Sequence, residues 1–429
     1  MKNLKKNLSL AACLLVLLCL TSGRHAHSQK INNGLINWLL PFELHGFIET
    51  RDGCRIQDDP KEKVISIMED RLQGEIFTYT DWAEFKYKGD VWGDRVIEKI
   101  AYDTRESWIF FRPTDYLDII IGRQVLTWGT GDLCFVNDMF PKDWQSYFIG
   151  RDKAYLKAPS DASKISIFLD FVNIDMVYIP RFIPDRYITG EYISYWNSML
   201  KQRTGRDFII ESDRPDQWFQ DDEIAVRLYR NLNNYELALY AYHGFWKCPG
   251  GQTTSGLPIF PELHVYGFSA RGQVASGIGN IESAWYQSID DKKGTNPLVK
   301  NSEIRYLIGY AQDLAKDCNA SLQYYIEHMI DYNDHIAGHP FGLQRDQNRH
   351  VLTLQLTQLL MNQNLELSFS LYYSPSDEDT YFRPGINYKF SDKITMQSGA
   401  NIFSGKEKDT FFGQFENSTN IYGAVRLSF

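Results

Sequence analysis

Acidic and basic side chains alternate with large apolar ones along several stretches of the sequence. Glu303 and Arg305, for example, alternate with Ile304 and Tyr306. This period of two is typical of a β-strand with one polar and one apolar face. Rows of opposite charge across an aqueous pore create a transverse field that orients dipolar solutes and passes small hydrophilic molecules. The residues predicted to line or constrict such a pore are Arg105, Arg123, Gln124, Asp132, Asp138, Arg227, Glu236, Glu303, Arg305, Glu327, Glu366, Arg383 and Arg426.

A second interpretation of these charges is structural. Neighbouring acidic and basic groups on inward faces could pair with one another and serve as scaffolding, with no part in selecting a solute. The sequence leaves both interpretations open.

Histidine and aspartate are the other residues that could do chemistry. His328 precedes Asp331 at a predicted strand end, and His335 and His339 follow Asp334 in a loop. None has the Ser-His or G-x-S-x-G context of a serine hydrolase. The loop residues could bind a divalent cation, but loops of this kind are commonly just solvated. We therefore predict no catalytic residue, no cofactor and no metal site.

Four cysteines follow residue 28, at positions 54, 134, 248 and 318, with the first three in predicted loops. They lack CxxC spacing and histidine partners at zinc-finger distances, which argues against a structural metal site. One disulfide between loops and four inert thiols both remain compatible with this pattern.

Strands must position the polar residues, and the alternation predicts eighteen of them, with sixteen as the alternative count. The predicted fold is an all-β, transmembrane antiparallel β-barrel. The predicted strands span residues 43–52, 66–78, 81–90, 98–112, 115–126, 162–171, 173–182, 221–232, 234–245, 262–274, 280–290, 302–313, 318–330, 347–361, 363–374, 379–390, 393–403 and 418–429.

The links between these strands alternate in length. Links after even-numbered strands are short, and most links after odd-numbered strands are long, with 375–378 as an exception. Outer-membrane barrels show this asymmetry, with short periplasmic turns and long extracellular loops. The loop 127–161 carries many large apolar residues, so we expect it to pack on something. We predict that it folds into the barrel as a constriction; the alternative is an ordered lid on top.

The two ends of the chain indicate export and closure. Residues 1–28 have the charged region, apolar run and small-residue cleavage site of a secretory signal peptide. Residues 29–429 then form one barrel domain. Its last strand ends on Phe429 with alternating apolar residues, resembling the C-terminal signature of Gram-negative outer-membrane barrels. We expect this strand to close the barrel against 43–52.

The composition excludes some classes of partner. Residues 1–28 carry four of the 45 basic residues and no acidic one, so the remaining chain has 41 basic and 54 acidic residues and a net charge of −13. Such an acidic surface argues against nucleic-acid binding. The mean hydropathy of −0.37 does not argue against a membrane barrel, because half of its strand residues face water.

One short motif suggests a family. Gly122-Arg123-Gln124 at a strand end, followed by Trp128-Gly129, resembles an element of alginate-export-type barrels and of a related uncharacterised proteobacterial outer-membrane family. The resemblance covers about residues 115–145 and implies an outer-membrane channel. It does not imply alginate as the substrate, because a pore for a polyanion should have an excess of basic residues and this one is mixed.

The sequence therefore predicts a porin-like channel in the cell outer membrane for passive passage of small hydrophilic solutes. The alternatives are a substrate-specific export channel coupled to an inner-membrane pump, and an outer-membrane hydrolase or adhesin that acts through its extracellular loops. Expected partners are outer-membrane lipid and lipopolysaccharide, the barrel-assembly machinery through the strand ending at Phe429, and a small solute. A homo-oligomer is compatible with this prediction.

Overall fold

A computed structural model describes residues 42–198, 200–338 and 345–429. The predicted signal peptide, 1–28, lies outside these residues, as does His339. The described chain forms one antiparallel sheet of eighteen strands. In chain order these are β1 (Phe42–Arg55), β2 (Ile65–Tyr79), β3 (Ala83–Asp94), β4 (Lys99–Thr114), β5 (Leu117–Gln124), β6 (Ser160–Phe168), β7 (Asn173–Ile179), β8 (Glu223–Leu232), β9 (Tyr235–Phe245), β10 (Glu262–Val274), β11 (Gly277–Ser288), β12 (Glu303–Ala315), β13 (Cys318–Met329), β14 (Asn348–Leu360), β15 (Leu365–Ser374), β16 (Asp379–Lys389), β17 (Ile394–Gly405) and β18 (Asn420–Ser428).

The last strand closes the sheet on the first. β18 pairs antiparallel with β1, from Phe47 opposite Ser428 to Arg55 opposite Asn420. The backbone N–H and C=O of Phe429 exchange hydrogen bonds of 2.9 and 3.0 Å with Gly46. Closure leaves no unpaired edge, which a sheet exposed to lipid cannot tolerate. The prediction of a closed eighteen-strand barrel is confirmed.

The pleat of each strand separates two chemically different faces. In β12, Tyr306 and Ile308 are 45% and 58% exposed on the outward face, whereas the inward Leu307 is 3% exposed. β15 alternates in the same way, with Leu371 outward and the buried Tyr372 inward. Apolar residues outward and polar or packed residues inward are what a lipid-facing barrel requires.

The two ends of the barrel differ in their connections. At one end, here called the short-turn end, every link between strands has two to four residues. The link between β8 and β9 consists of Asn233 and Asn234, both with positive φ, which asparagine tolerates in a tight hairpin. The other end, here called the long-loop end, carries all seven long links and also two short links, 95–98 and 375–378. These long links are 56–64, 125–159, 180–222, 246–261, 289–302, 330–347 and 406–419.

The long links contain the remaining regular structure. It comprises the helices α1 (Trp144–Ile149) and α2 (Tyr332–Gly338), two 3-10 turns and two short hairpins. None of the helices in the described part of the chain is long and apolar enough to cross a membrane. Cys54 lies within β1 and not in a loop as predicted, because β1 continues to Arg55. The four described cysteines form no disulfide.

Candidate functional site

Residues 127–161, here called the inner segment, run across the inside of the barrel. Its side chains and backbone hydrogen-bond to residues of β1 to β4, β10, β11, β13 and β15 to β18. Its apolar residues, among them Val136, Phe140 and Ile149, are almost completely buried. Burial of this many apolar groups explains why so long a link is ordered.

The first half of the inner segment is held by one carboxylate on β11. Glu282 accepts hydrogen bonds from the backbone N–H and the hydroxyl of Thr130, the latter at 2.8 Å. It also accepts from the backbone N–H and the side-chain amide of Asn137, at 3.0 and 2.7 Å. The hydroxyl of Tyr286, on the same strand, donates to the carbonyl of Val136 at 2.5 Å. These bonds fix residues 130–137 against one wall.

The second half is held by arginines on the opposite side of the barrel. Arg51 on β1 donates to the carbonyl of Gly150 at 2.7 Å, and Arg383 on β16 donates to that of Arg151 at 2.8 Å. Arg105 on β4 donates to the carbonyl of Lys157 at 2.8 Å. A guanidinium that donates to a backbone carbonyl forms a charge-assisted bond, which is stronger than a neutral one.

Two ion pairs add to this second attachment. Arg151 within the inner segment binds Glu69 of β2 through two bonds of 2.9 and 2.6 Å. Arg426 of β18 donates to Asp152 at 3.0 Å. Both arginines are largely buried, where an unpaired charge would be very costly, so these pairs define where the segment lies.

The local sequence explains why the short helix α1 forms between the two halves of the inner segment. The Asp143 carboxylate accepts from the backbone N–H of Ser146 at 2.7 Å and caps the start of α1. Gly150 has φ +93° and ends the helix in the left-handed region. Phe148 of α1 packs against the rings of Tyr381 and Phe403, at centroid distances of 5.2 and 5.3 Å. The helix therefore anchors the segment to β16 and β17.

Steric contacts and backbone conformation explain why positions 122 and 129 of the motif are glycine. Gly122 has φ +125°, and a Cβ there would lie 2.2 Å from the carbonyl oxygen of Ser107. Gly129 has φ +75°, and its Cβ would lie 3.1 Å from the carboxylate oxygens of Glu282. Trp128 packs edge-on against Phe140 at 5.1 Å. The motif turns the chain from β5 into the barrel and brings it up to Glu282.

The inner segment borders two cavities. The larger, of about 1110 Å³, opens at the long-loop end and is lined by Lys142 and Trp144 of the segment and by inward residues of several strands. The smaller, of about 420 Å³, lies near the short-turn end and is lined by Thr130 together with Glu236 and Arg271. Polar space is thus present on both sides of the segment.

Most of the residues predicted from the sequence have charged partners. Arg227 pairs with Glu236 at 2.5 Å, Arg305 with Glu303 at 2.6 Å, Arg426 with Glu49 at 2.7 Å, Glu327 with Arg345 at 3.4 Å and Arg349 at 3.7 Å, and Glu366 with Lys153 at 3.4 Å. Pairing of this extent is what the scaffolding interpretation expects, although Arg305 and Glu327 also line the larger cavity.

The other predicted residues, apart from Gln124 and Arg123, bind the inner segment or belong to it. Arg105 and Arg383 donate to its carbonyls as described. Asp132 accepts from the hydroxyl of Ser321 at 2.7 Å. Asp138 accepts from the hydroxyl of Thr127 at 2.9 Å and pairs with Lys142 at 3.1 Å. The Gln124 amide is buried and donates to the carbonyl of Ala162 at 3.2 Å.

Arg123 differs from the other predicted residues because its side chain does not face the lumen. The register places it opposite Ser107 and Asp161, on the face of β5 that also carries the exposed Ile121. It binds Asp161 through two bonds of 2.7 Å. Adjacent residues of one strand point to opposite faces, so Arg123 and Gln124 could not both face the lumen as predicted. The structure places Gln124 inward and Arg123 outward.

The charges around the inner segment shift the pKa of its own groups. Burial alone would raise the pKa of the Asp152 carboxyl, but Arg426, the backbone N–H of Ala154 and Gln397 outweigh burial and lower the pKa to about 2. Burial lowers the pKa of Lys157, and Lys142 lowers it further, against the opposing effect of Asp138. Asp152 is therefore ionised at neutral pH and remains a partner for Arg426.

The residues that hold the segment most tightly were not predicted from the sequence. Glu282, Glu69 and Arg51 were not among the predicted site residues, although each lies at an inward position of its strand. Their signal was present, because each is a charged residue on the face opposite the apolar one. Which of many inward charges meets the segment depends on the path of residues 127–161, which no local pattern specifies.

Comparison with solved structures identifies the fold. OccAB3 of Acinetobacter baumannii superposes with a TM-score of 0.54 at 10% identity, over 90% of this chain and 99% of that one. OccD3 (OpdP) of Pseudomonas aeruginosa gives 0.52 at 8% identity, over 90% and 91%. The chain has a porin-type barrel fold.

Other comparisons give little further information about the fold. A mutant of the Rhodopseudomonas blastica porin covers 91% of this chain and 100% of its own at 12% identity, but its TM-score of 0.40 is too low to carry an argument. No protein-family model matches the sequence, and no curated protein matches it at a significant level. At identities this low the likeness shows the fold alone, so function must be argued from the site.

Proposed function

We propose that this porin-type barrel is an outer-membrane channel for passive passage of small hydrophilic solutes. The inner segment would constrict the lumen, and the mixed charges around it would select among solutes. We propose no catalytic activity. The signal peptide predicted at 1–28 would direct the chain to export, and the apolar outward face would then sit in the outer membrane.

The observation that carries this proposal is the position of the inner segment. A barrel of eighteen strands is wide enough to leave an aqueous lumen unless something enters it. Here the inner segment enters, is fixed to opposite walls, and borders a polar cavity on each side. A segment held rigidly between two polar spaces is suited to narrow a path without closing it.

The lining of the larger cavity supports a mixed selectivity. Arg305 and Arg349 contribute positive charge there, and Glu327 and Asp138 contribute negative charge. Aromatic rings lie beside these charges, and the Arg305 guanidinium stacks 3.9 Å from the ring centroid of Tyr286. Such a surface suits small polar or zwitterionic solutes better than a long polyanion, which would need one sign of charge throughout.

Several partners belong to the same proposal. The outward face would contact outer-membrane lipid and lipopolysaccharide. The terminal strand, β18, would be recognised by the barrel-assembly machinery through Phe429. The acidic net charge argues against nucleic acid, and a homo-oligomer remains compatible with the apolar outer wall.

Conductance in a planar bilayer tests the channel directly. Purified protein should produce discrete single-channel steps, because the polar cavities on the two sides of the inner segment would connect. A variant with residues 131–140 deleted should give larger steps. Absence of current from both proteins would overturn the proposal and would reopen the hydrolase or adhesin alternative.

Ion selectivity tests the lumen assignment with a matched pair of arginines. Arg305→Ala removes a charge from the cavity and should shift the permeability ratio toward cations. Arg123→Ala removes the same charge from the outer wall and should leave that ratio unchanged. Equal shifts in the two variants, or no shift in either, would contradict the proposed role of Arg305.

A further inference from the structure

Two histidines and a glutamate form a compact cluster on the outer wall of the barrel. His243 of β9 and His264 of β10 are directly opposite each other in the strand register. Their Nδ1 and Nε2 atoms are 2.8 Å apart. The Oε1 atom of Glu262 lies 3.6 Å from the former and 3.4 Å from the latter. Within the described residues this is the one group of three such side chains whose ligand atoms converge.

The cluster faces outward, near the long-loop end. The neighbours of His264 along β10, Leu263 and Val265, are fully buried and face inward, so the pleat turns His264 out. β9 ends at Phe245 and β10 begins at Glu262, which places the cluster one to three residues from the loop 246–261. The site is therefore on the rim of the barrel wall and not in the lumen.

An aromatic pair fixes the depth of the cluster relative to lipid. Tyr266 lies two residues further along the outward face of β10 and packs against Trp285 at 6.0 Å between ring centroids. Both rings are exposed. Outward tyrosine and tryptophan residues mark the membrane interface of barrels, so the cluster lies just beyond the apolar band, where water and headgroup phosphates are present.

We propose that His243, His264 and Glu262 bind a divalent transition-metal ion of the zinc class. Imidazole nitrogen and carboxylate oxygen are ligands that zinc prefers, at about 2.0–2.2 Å. Around a tetrahedral ion of that size, neighbouring ligand atoms are about 3.3 Å apart. The three observed separations, 2.8, 3.4 and 3.6 Å, lie close to this value, so only small side-chain movements are needed.

The backbone holds the three ligands in place before any ion binds. His243 and His264 sit in paired strands, whose hydrogen-bonded ladder fixes the distance between their Cα atoms. The backbone N–H of Glu262 donates to the Asp290 carboxylate at 2.9 Å, and its carbonyl accepts from Ile289 at 3.0 Å. A site with little conformational freedom to lose binds an ion more tightly.

The arrangement also leaves a coordination position open. Three protein ligands from two adjacent strands occupy one side of the ion, and the other side faces away from the wall. Water would fill this position in detergent solution. In a membrane, an oxygen of a headgroup phosphate could replace it, so the ion would join the barrel rim to the lipid surface.

The alternative is a hydrogen-bonded surface cluster without an ion. Zinc titration of tag-free protein in chelator-free detergent solution separates the two. The protein should bind one zinc ion, measured by isothermal titration calorimetry and by metal analysis after gel filtration. His264→Ala should weaken this binding at least about tenfold, because removing a partner of a metal ligand already costs about 10–100-fold, and Glu262→Gln should weaken it less.

The matched control is His328→Ala. His328 is also a histidine near the long-loop end, on β13, but it hydrogen-bonds to Asn348 and lies outside the cluster. This variant should bind zinc as tightly as the unaltered protein. All variants should keep the heat-modifiable mobility of a folded barrel, because the cluster residues are partly exposed. Absence of stoichiometric binding, or equal binding by the His264→Ala and unaltered proteins, would overturn the proposal.

Discussion

Two opposite walls of the barrel hold the inner segment through different sets of groups. On β11, the Glu282 carboxylate accepts from Thr130 and Asn137. On the wall that contains β2, nine strands away and hence across the barrel, arginines donate to the segment and Glu69 receives Arg151. On β11 one carboxylate accepts four of the bonds, whereas the opposite wall holds the segment mainly through arginine donors and the ion pair of Glu69 with Arg151.

This difference indicates how the segment could move. Four hydrogen bonds of the first half converge on one carboxylate, and no ion pair to Glu282 is present among the described residues. The second half is attached through separate groups on β1, β2, β4, β16 and β18. Tyr286, Ser321 and Tyr372 also bind the first half. Loss of Glu282 alone nevertheless removes four of its bonds, so we expect the segment to loosen first on the β11 side.

The same difference bears on the field inside the lumen. Arginines on one wall and a glutamate on the other point toward a common space, which is the arrangement that orients dipolar solutes. Many of the arginines are paired, as Arg71 is with Glu69 at 2.6 Å. Pairing reduces the net field of these arginines, so the unpaired Glu282 accounts for a larger share of the remaining field.

The largest expected effect is on the attachment of the second half to the wall that contains β2. Arg151→Ala removes one partner of a buried ion pair and also the bonds to Ser146 and Tyr192. We expect the free energy of unfolding to fall by about 3–5 kcal/mol, measured by denaturant unfolding in detergent or lipid. Lys153→Ala, which removes a side chain that is 69% exposed, is the control and should change it by less than about 0.5 kcal/mol.

A small effect of Arg151→Ala would contradict the firm attachment of the second half to the barrel wall. If the free energy of unfolding fell by no more than it does in Lys153→Ala, the second half would not be part of the cooperative unit of the barrel. The two walls would then differ in chemistry but not in how firmly they hold the segment.

The second largest effect is expected for substitution of Glu282 on β11. Glu282→Ala leaves the donors of Thr130 and Asn137 without their acceptor, which should cost about 1–3 kcal/mol of stability. Because the first half would then be held by fewer bonds, we also expect larger and noisier single-channel currents. Glu366→Ala removes another inward glutamate, which touches the segment only through the exposed Lys153, and should leave the currents steady.

If the hydrogen bonds of Glu282 hold the segment, Glu282→Ala should change the currents and Glu366→Ala should not. If Glu366→Ala changed the currents as much as Glu282→Ala does, any loss of inward negative charge would suffice. The hydrogen bonds to the segment would then not be the cause.

The sequence predicted the barrel far better than it predicted the site. Strand alternation is local, so residues such as Tyr306 and Leu371 specify their own face without knowledge of the rest of the chain. Closure could also be predicted, because the terminal strand with Phe429 needed a partner. The path of 127–161 could not, because its contacts join residues more than a hundred positions apart, as Thr130 joins Glu282.

Arg123 shows where a motif can mislead. It stands in the motif that resembles other barrels, and its charge suggested a role in the lumen. The pleat assigns it to the outward face, and it is the glycines at 122 and 129 that the local geometry requires. A motif can therefore be explained by backbone shape while its most conspicuous side chain lies outside the site.

The smallest expected effect is a dependence on acid that is confined to the second half. Asp152 has a folded pKa of about 2, below the ordinary value of 3.8, so its ionised form stabilises the fold. That contribution, at most about 2.5 kcal/mol, is complete above pH 5 and is lost as the pH falls from about 4 through 2. Asp152→Asn lacks the titrating group, so the difference in stability between it and the unaltered protein should shrink over this range. A difference that stays constant from pH 5 to pH 2 would mean that Arg426 does not depend on the charge of Asp152, and the arginines of the opposite wall would then hold the segment through its carbonyls alone.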